Sequence, residues 1–334
     1  MIVKDDDLVV GTHGRGFWIL DDITPLRQMD ESTASASVAL FKPEVAYRVR
    51  WNTNTDTPLP PDEPAGQNPP DGAIVNYTLA AAASGPVTLE ILDATSKTIR
   101  RYSSSDRSEL PDPATAPVPL YWYRPPQVLS AEAGMHRFLW DLHYQPLPGG
   151  GGRGGLPIAA VAHNTSPPPN APWVAPGTYT VKLTVDGKSY TQPLAVKMDP
   201  RVKTSALGLS QQFTLSKQMY DDMMSAQKAL QEVRELRDRI PKGSSGPQSA
   251  LNQKLAALEG VAGGGRGGTT EGPDTLSNIS GSLGALMNLL QGADVAPTTQ
   301  LVAAVNQRHA AFTRLMAQWT AAKGDARRLN LVIE

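Results

Sequence analysis

The sequence predicts a multidomain α+β chain: short N-terminal strands, an antiparallel β-sandwich and an antiparallel helical bundle. Three observations carry this reading. Apolar residues alternate with period two in several segments between Val75 and Met198, the pattern of strands with one buried face. At Asp199-Pro200 the period changes to 3.6, the spacing of helices with one apolar stripe. Glycine and proline, 29 of each in 334 residues, divide the chain into segments separated by turns and loops.

Residues 1–50 read as terminal strands and a linker. "DLVVGTHGRGFWILDD" (Asp7 to Asp22) is a strand, a glycine-rich turn and a second strand. Two such strands cannot bury either face between them, which raises the question of what completes their sheet. "ALFKPEVAYRVRW" follows, with partial alternation at Val45, Tyr47 and Val49. Residues 51–73 form a proline-rich loop without apolar periodicity.

The predicted sandwich spans residues 74–200. Val75, Tyr77 and Leu79 alternate with polar neighbours, as do Val87, Leu89 and Ile91, and "HRFLWDLHY" places Phe138, Trp140 and Leu142 on one face. A Gly/Pro-rich insertion occupies 145–175. The clearest hairpin is "PGTYTVKLTVDGKSYTQPLAVKMD", with Asp186-Gly187 as its two-residue turn. Pro193 in the return strand cannot donate to a ladder, so a free edge is expected beside it. These alternating strands are expected to fold as a unit independent of residues 1–30.

Residues 205–334 read as the bundle, with helices near 209–240, 248–259, 274–291 and 298–322. Asp274 is the expected N-cap of the third, and Pro297 lies near the first turn of the fourth. Two Gly-Arg loops, 149–155 and 263–268, echo each other without any repeat around them.

Composition narrows the function. Lys+Arg is 31 and Asp+Glu 32, so there is no basic footprint for nucleic acid. The absence of cysteine removes disulfides, thiolate nucleophiles and zinc–sulfur sites. No apolar run is long enough to span a membrane, and "MIVKDDD" lacks the apolar core of a signal peptide.

No motif specifies a reaction. A dinucleotide fingerprint needs its third glycine after the close pair and a helix behind it; Gly11 precedes the pair Gly14 and Gly16, and a bulky apolar strand follows where the helix is needed. His13, His136, His143, His163 and His309 lack metal-ligand spacing and read as packing or hydrogen-bonding residues. Asp5-Asp6-Asp7 and Asp21-Asp22 read as solvated strand ends, since neighbours on a strand point to opposite faces. Asn76-Tyr77-Thr78, Asn164-Thr165-Ser166 and Asn278-Ile279-Ser280 match the short glycosylation triplet. Tyr121, Trp122 and Tyr123, near Arg124, form an aromatic cluster that could serve as a stacking platform for a sugar or a proline-rich peptide; the alternative is that Trp122 caps one end of the sandwich while the tyrosines flank it. Neither a cofactor nor a metal is implied, and no catalytic residue is assigned.

"DLVVGTHGRGFWILDDITPLRQ" resembles the last-blade segment of large bacterial sortilin-like, neuraminidase-repeat β-propeller proteins, often described as glycosyl hydrolases. The likeness continues through "MHRFLWDLHY", "PGTYTVKLTVDGKSYTQPLAVKMDPRV" and "SALGLSQQFTLSKQMYDDM". The sandwich resembles immunoglobulin-like modules at Trp140, Asp141, Gly177, Tyr179, Val181, Leu183, Thr184, Asp186 and Gly187. These resemblances imply that the first strands belong to a propeller blade whose remainder lies upstream. They imply a fragment whose partner is that missing propeller, with a glycan or cell-surface protein as a further candidate. They also imply a secreted or periplasmic parent, although this chain carries no signal peptide. The implied function is that of a non-catalytic accessory scaffold. The alternatives are part of a glycoside hydrolase, with its catalytic residues mostly on the propeller, and a carbohydrate-binding module.

Overall fold

The computed structural model describes residues 1–50, 59–60, 62–63, 66, 69–107, 112–116, 118–123, 127–147, 171–241, 243–260 and 273–331. Most of the expected loop 51–73, both Gly-Arg loops, His163, the Asn164 triplet and Arg124 lie outside the described residues. The chain divides into two units, Met1–Val202 and Lys203–Glu334.

The first unit begins with β1 (Ile2–Lys4), β2 (Asp7–Gly11) and β3 (Phe17–Leu20), which form an antiparallel three-stranded sheet. The expected two-stranded hairpin thus gains Ile2–Lys4 as a third strand, reversed at Asp5, whose φ is 54°. Gly14 and Gly16, at φ 79° and 78°, close the β2–β3 turn in a conformation that residues with a Cβ rarely adopt.

The next residues depart from the expected strands. They form two short helices, α1 (Thr24–Gln28) and α2 (Glu31–Ser35). Pro25 at the start of α1 suits a first helical turn. Asp30 accepts from the Thr33 N–H while the Thr33 hydroxyl receives the Asp30 N–H, a reciprocal cap.

The remaining strands are β4 (Val38–Leu40), β5 (Ala46–Arg48), β6 (Ala73–Leu79), β7 (Thr88–Leu92), β8 (Thr98–Ser103), β9 (Gly134–Trp140), β10 (Gly177–Val185) and β11 (Lys188–Met198). They form two sheets, ordered β4-β6-β9 and β5-β11-β10-β7-β8. The β10–β11 hairpin turns at Asp186 (φ 47°) and Gly187 (φ 78°), as the sequence predicts. The outer ladder of β11 begins only at Val196, so no strand pairs beside Pro193 on that side among the described residues. The strands within 74–200 pair antiparallel as expected, while β5, from the segment read as strands and linker before them, runs parallel to β11 at one edge. β5 is three residues long and follows β4 after a short connection, and nothing in its own sequence fixes its direction.

Apolar positions of both sheets are buried. Val75, Leu89, Ile91, Val181, Leu183 and Leu194 have no accessible surface. Aromatic pairs join the two sheets: Trp140 of β9 lies edge-on to Tyr179 of β10 at 5.7 Å, and Phe138 of β9 lies edge-on to Tyr102 of β8 at 4.6 Å. Gly72, at φ 129°, lies so close to Trp140 that an added Cβ would sit 2.1 Å from its carbonyl oxygen.

The second unit contains α3 (Ala206–Arg239), α4 (Gly246–Glu259), α5 (Leu276–Leu290) and α6 (Thr299–Arg328). Met219, Met223, Val233, Leu255, Ile279, Leu283, Val305 and Trp319 form its buried stripe. Asp274 is not the N-cap of α5. Thr275 takes that place, with its N–H bonded to the Asn278 side chain, while Asp274 pairs with Arg308 of α6 at 2.7 Å. The molecule is an α+β protein of several small sheets, one a curled half-barrel, with a C-terminal bundle of long helices.

Candidate functional site

Asp22 ends β3 and turns the chain into α1. Its φ is 56°, in the left-handed region, where Asp is among the few side-chain-bearing residues found with some frequency. It is 2% exposed, so the expected solvated strand end is corrected here. One carboxylate oxygen accepts the Thr24 N–H at 2.9 Å and the Thr24 hydroxyl at 2.5 Å. The other accepts from the Asn76 amide of β6 at 2.7 Å. Arg137 of β9 completes the network, donating to the Asn76 side-chain oxygen at 3.2 Å and to the Asp22 carbonyl at 3.0 Å. Charge-assisted bonds of this kind offset the desolvation of a buried carboxylate.

The adjoining acidic run has a structural part in the same junction. Asp7 accepts from the Asp22 N–H, and the Asp6 carbonyl accepts from the Ile23 N–H. Asp6 also pairs with Arg27 of α1 at 2.8 Å. Burial, reinforced by the carboxylates of Asp22, Asp7 and Asp6, pushes Glu44 up to about 7. Burial, then Asp7, raises Asp21 above the usual carboxylate range. Among the described residues, no group of three or more acidic or histidine side chains could hold a metal ion. Asn76 is buried, so its glycosylation triplet faces the interior.

The aromatic cluster is only partly assembled. Tyr121 and Trp122 sit half-buried on a single 3-10 turn (Leu120–Trp122), and Tyr123 is buried. The Tyr121 and Trp122 rings stand at 82° with centroids 6.4 Å apart, an edge-on pair rather than a coplanar row. Among the described residues, the buried Trp122 Nε1 has no hydrogen-bond partner.

The histidines are dispersed. His13 is exposed on the β2–β3 turn, and His136 lies against Tyr77. His143 is buried, stacks on Trp173 and donates from Nδ1 to the Asp141 carbonyl; burial lowers its proton affinity. In the second unit, His309 of α6 donates to the buried Asp222 of α3 at 2.7 Å. A cleft of about 560 Å³ lies at the α3–α4 end, where Arg234 and Arg237 both pair with Glu259.

Among the described residues, exposed large apolar side chains gather on the β1–β3 sheet. Phe17 is 84% exposed and Trp18 63%, with Ile19, Leu20, Ile2 and Val3 also exposed. These side chains divide between the two faces of the sheet, since neighbours on a strand point to opposite sides. The sequence reads as two strands here, and the structure adds Ile2–Lys4 as a third. Sequence reasoning missed the Asp22–Asn76–Arg137 junction, whose one local signal is an Asp pair placed directly before the Thr-Pro start of a helix. Comparison of the chain with protein-family models, curated proteins and solved structures gives no match.

Proposed function

We propose that this chain is a non-catalytic accessory region of a β-propeller protein, bracing the propeller or mediating its interactions. The observation that carries the reading is the β1–β3 sheet, whose apolar side chains are exposed on both faces. A run such as Phe17-Trp18-Ile19-Leu20 suits a strand covered on both sides. Further strands at the β1 edge, with neighbouring blades over the two faces, would supply that cover. The resemblance to last-blade segments supports this. The paired sheets joined by Trp140 and Tyr179, with the Asp186-Gly187 hairpin, support an immunoglobulin-like sandwich beside the blade. A secreted or periplasmic location follows from the same resemblance.

Two measurements test the proposal. The genomic sequence upstream of codon 1 should encode propeller blades in frame; a stop codon there argues against an upstream propeller. The chain should also show no turnover of aryl glycosides or polysaccharides. Turnover abolished by replacing a single carboxylate would make it an enzyme and overturn the scaffold reading.

A further inference from the structure

The open edge of β3 has a defined hydrogen-bonding phase. Among the described residues β3 pairs only with β2, so its other side is free. The register sets Gly11 opposite Phe17, Val10 opposite Trp18, Val9 opposite Ile19 and Leu8 opposite Leu20. At the turn, the Thr12 N–H donates to the Gly16 carbonyl at 3.1 Å. Bonded and non-bonded pairs alternate along an antiparallel ladder. Counting from Thr12–Gly16, Val10–Trp18 and Leu8–Leu20 are the bonded pairs. Phe17 and Ile19 therefore turn their N–H and C=O groups to the open edge.

We propose that this edge is a homodimer interface, in which β3 of a second copy adds antiparallel with Trp18 on the two-fold axis. In that register Phe17 of each copy faces Ile19 of the other. Both residues carry outward backbone groups, so they exchange two hydrogen bonds on each side of the axis. Trp18 meets its own counterpart as a non-bonded pair, the closer of the two spacings. The same register sets the exposed Arg15 of each copy at the Asp21 end of the other, joining opposite charges. A shift that centres Ile19 on the axis puts Phe17 against Asp21, and one that centres Phe17 puts Arg15 against Ile19. Both lose the charge match. Registers of the other parity set outward groups against groups already bonded to β2.

The exposed surface sets the strength. Phe17 and Trp18, each with up to about 150–250 Å² to bury, and the smaller Ile19 and Leu20 offer roughly 500 Å² per copy. A standard interface buries about 800 Å² per partner, so the dimer is weak and concentration-dependent. The inference shares with the proposed function only the premise that the β1–β3 sheet is a docking surface. The genomic and sedimentation tests fail independently of each other.

Sedimentation velocity on the 334-residue chain should show monomer passing to dimer through the tens-of-micromolar range. Ile19→Pro removes an outward N–H and spares the β2 ladder, so it should remain monomeric with the thermal transition of the larger sheets unchanged. The chain has no cysteine, so a single introduced thiol reports the register. Trp18→Cys sets two thiols across the axis at roughly 4.5 Å between Cα atoms, within disulfide reach, and should oxidise to a covalent dimer. Phe17→Cys, facing Ile19 of the second copy, should cross-link far more slowly. A chain that stays monomeric at every concentration overturns the proposal, whatever else occupies the edge. So does an Ile19→Pro variant that dimerises like the parent, or equal cross-linking at positions 17 and 18.

Discussion

The Asn76 side-chain amide donates to the buried Asp22 carboxylate at 2.7 Å, tying the end of the N-terminal sheet to the middle of β6. The same carboxyl group holds Thr24 at the start of α1, so one residue joins the exit from β3 and the entry to α1 to β6. Replacing Asn76 with Leu leaves that carboxylate short of one charge-assisted bond and deprives Arg137 of an acceptor. The expected cost is about 2–3 kcal/mol, seen as a fall of about 5–10 °C in the melting of the first unit. An unchanged transition would mean that water replaces the amide without penalty.

The junction also revises the expectation that the sheets fold independently of residues 1–30. Removing residues 1–20 takes away β1–β3, whose apolar residues are mostly exposed, together with the Asp6 and Asp7 acceptors of the junction, and should lower the melting of the rest by less than the longer deletion does. Removing residues 1–30 also deletes Asp22 and the buried Ile23 and Pro25, stranding Asn76 and Arg137. Burial of a large apolar side chain alone is worth about 1.5–3 kcal/mol. The longer deletion should therefore lower the transition by about 10 °C or more. Equal melting of the two truncations would mean that Asp22, Ile23 and Pro25 add nothing to stability.

Glu44 gives this region a pH dependence of definite sign. Burial and the facing Asp22, Asp7 and Asp6 carboxylates raise its folded pKa to about 7, only partly opposed by Arg137, while the unfolded chain keeps the ordinary value near 4.5. Between those values the folded state binds more protons, so stability falls as pH rises from about 4.5 to about 7. Buried His143 acts in the opposite direction: its folded pKa is lowered, so stability is lost as pH falls below about 6.5. The difference between the parent and Glu44→Gln isolates the first effect. Glu44→Gln should gain on the parent as pH rises from 5 to 7.5; a constant difference would show that Glu44 titrates normally.

Local chemistry was legible in the sequence, and long-range pairing was not. Asp186-Gly187 announces its turn because both residues tolerate positive φ, and the four long helices follow from apolar spacing, whereas the five-residue α1 and α2 are too short to show a period. The cap of α5 shows the boundary between the two. Asp274 and Thr275 are both good caps, and the choice falls to Thr275 because Arg308, 34 residues away, takes Asp274. Asp22 joins Asn76 and Arg137 across separations of 54 and 115 residues, and no period or spacing encodes such a meeting. The parallel direction of β5 is hidden for the same reason, since three residues carry no sign of which end they approach from. The aromatic cluster was legible as composition, but the 82° between its rings is set by the turn that carries them.

Hydrogen exchange along β3 gives the finest test of the exposed sheet. In dilute solution the amides of Trp18 and Leu20 are bonded to β2, while those of Phe17 and Ile19 face solvent. Protection should therefore alternate along four consecutive residues. All four should exchange faster than Val181 and Leu183, which lie in β10 between β11 and β7 and are fully buried. A three-stranded sheet with both faces exposed opens at low free energy, whereas a central strand opens only with its whole unit. Raising the protein concentration should slow Phe17 and Ile19 selectively, because those amides are the ones an added strand would engage. If the four β3 amides already exchange as slowly as Val181 in dilute solution, this edge is covered within a single chain. The sheet would then be a finished element rather than one awaiting a partner.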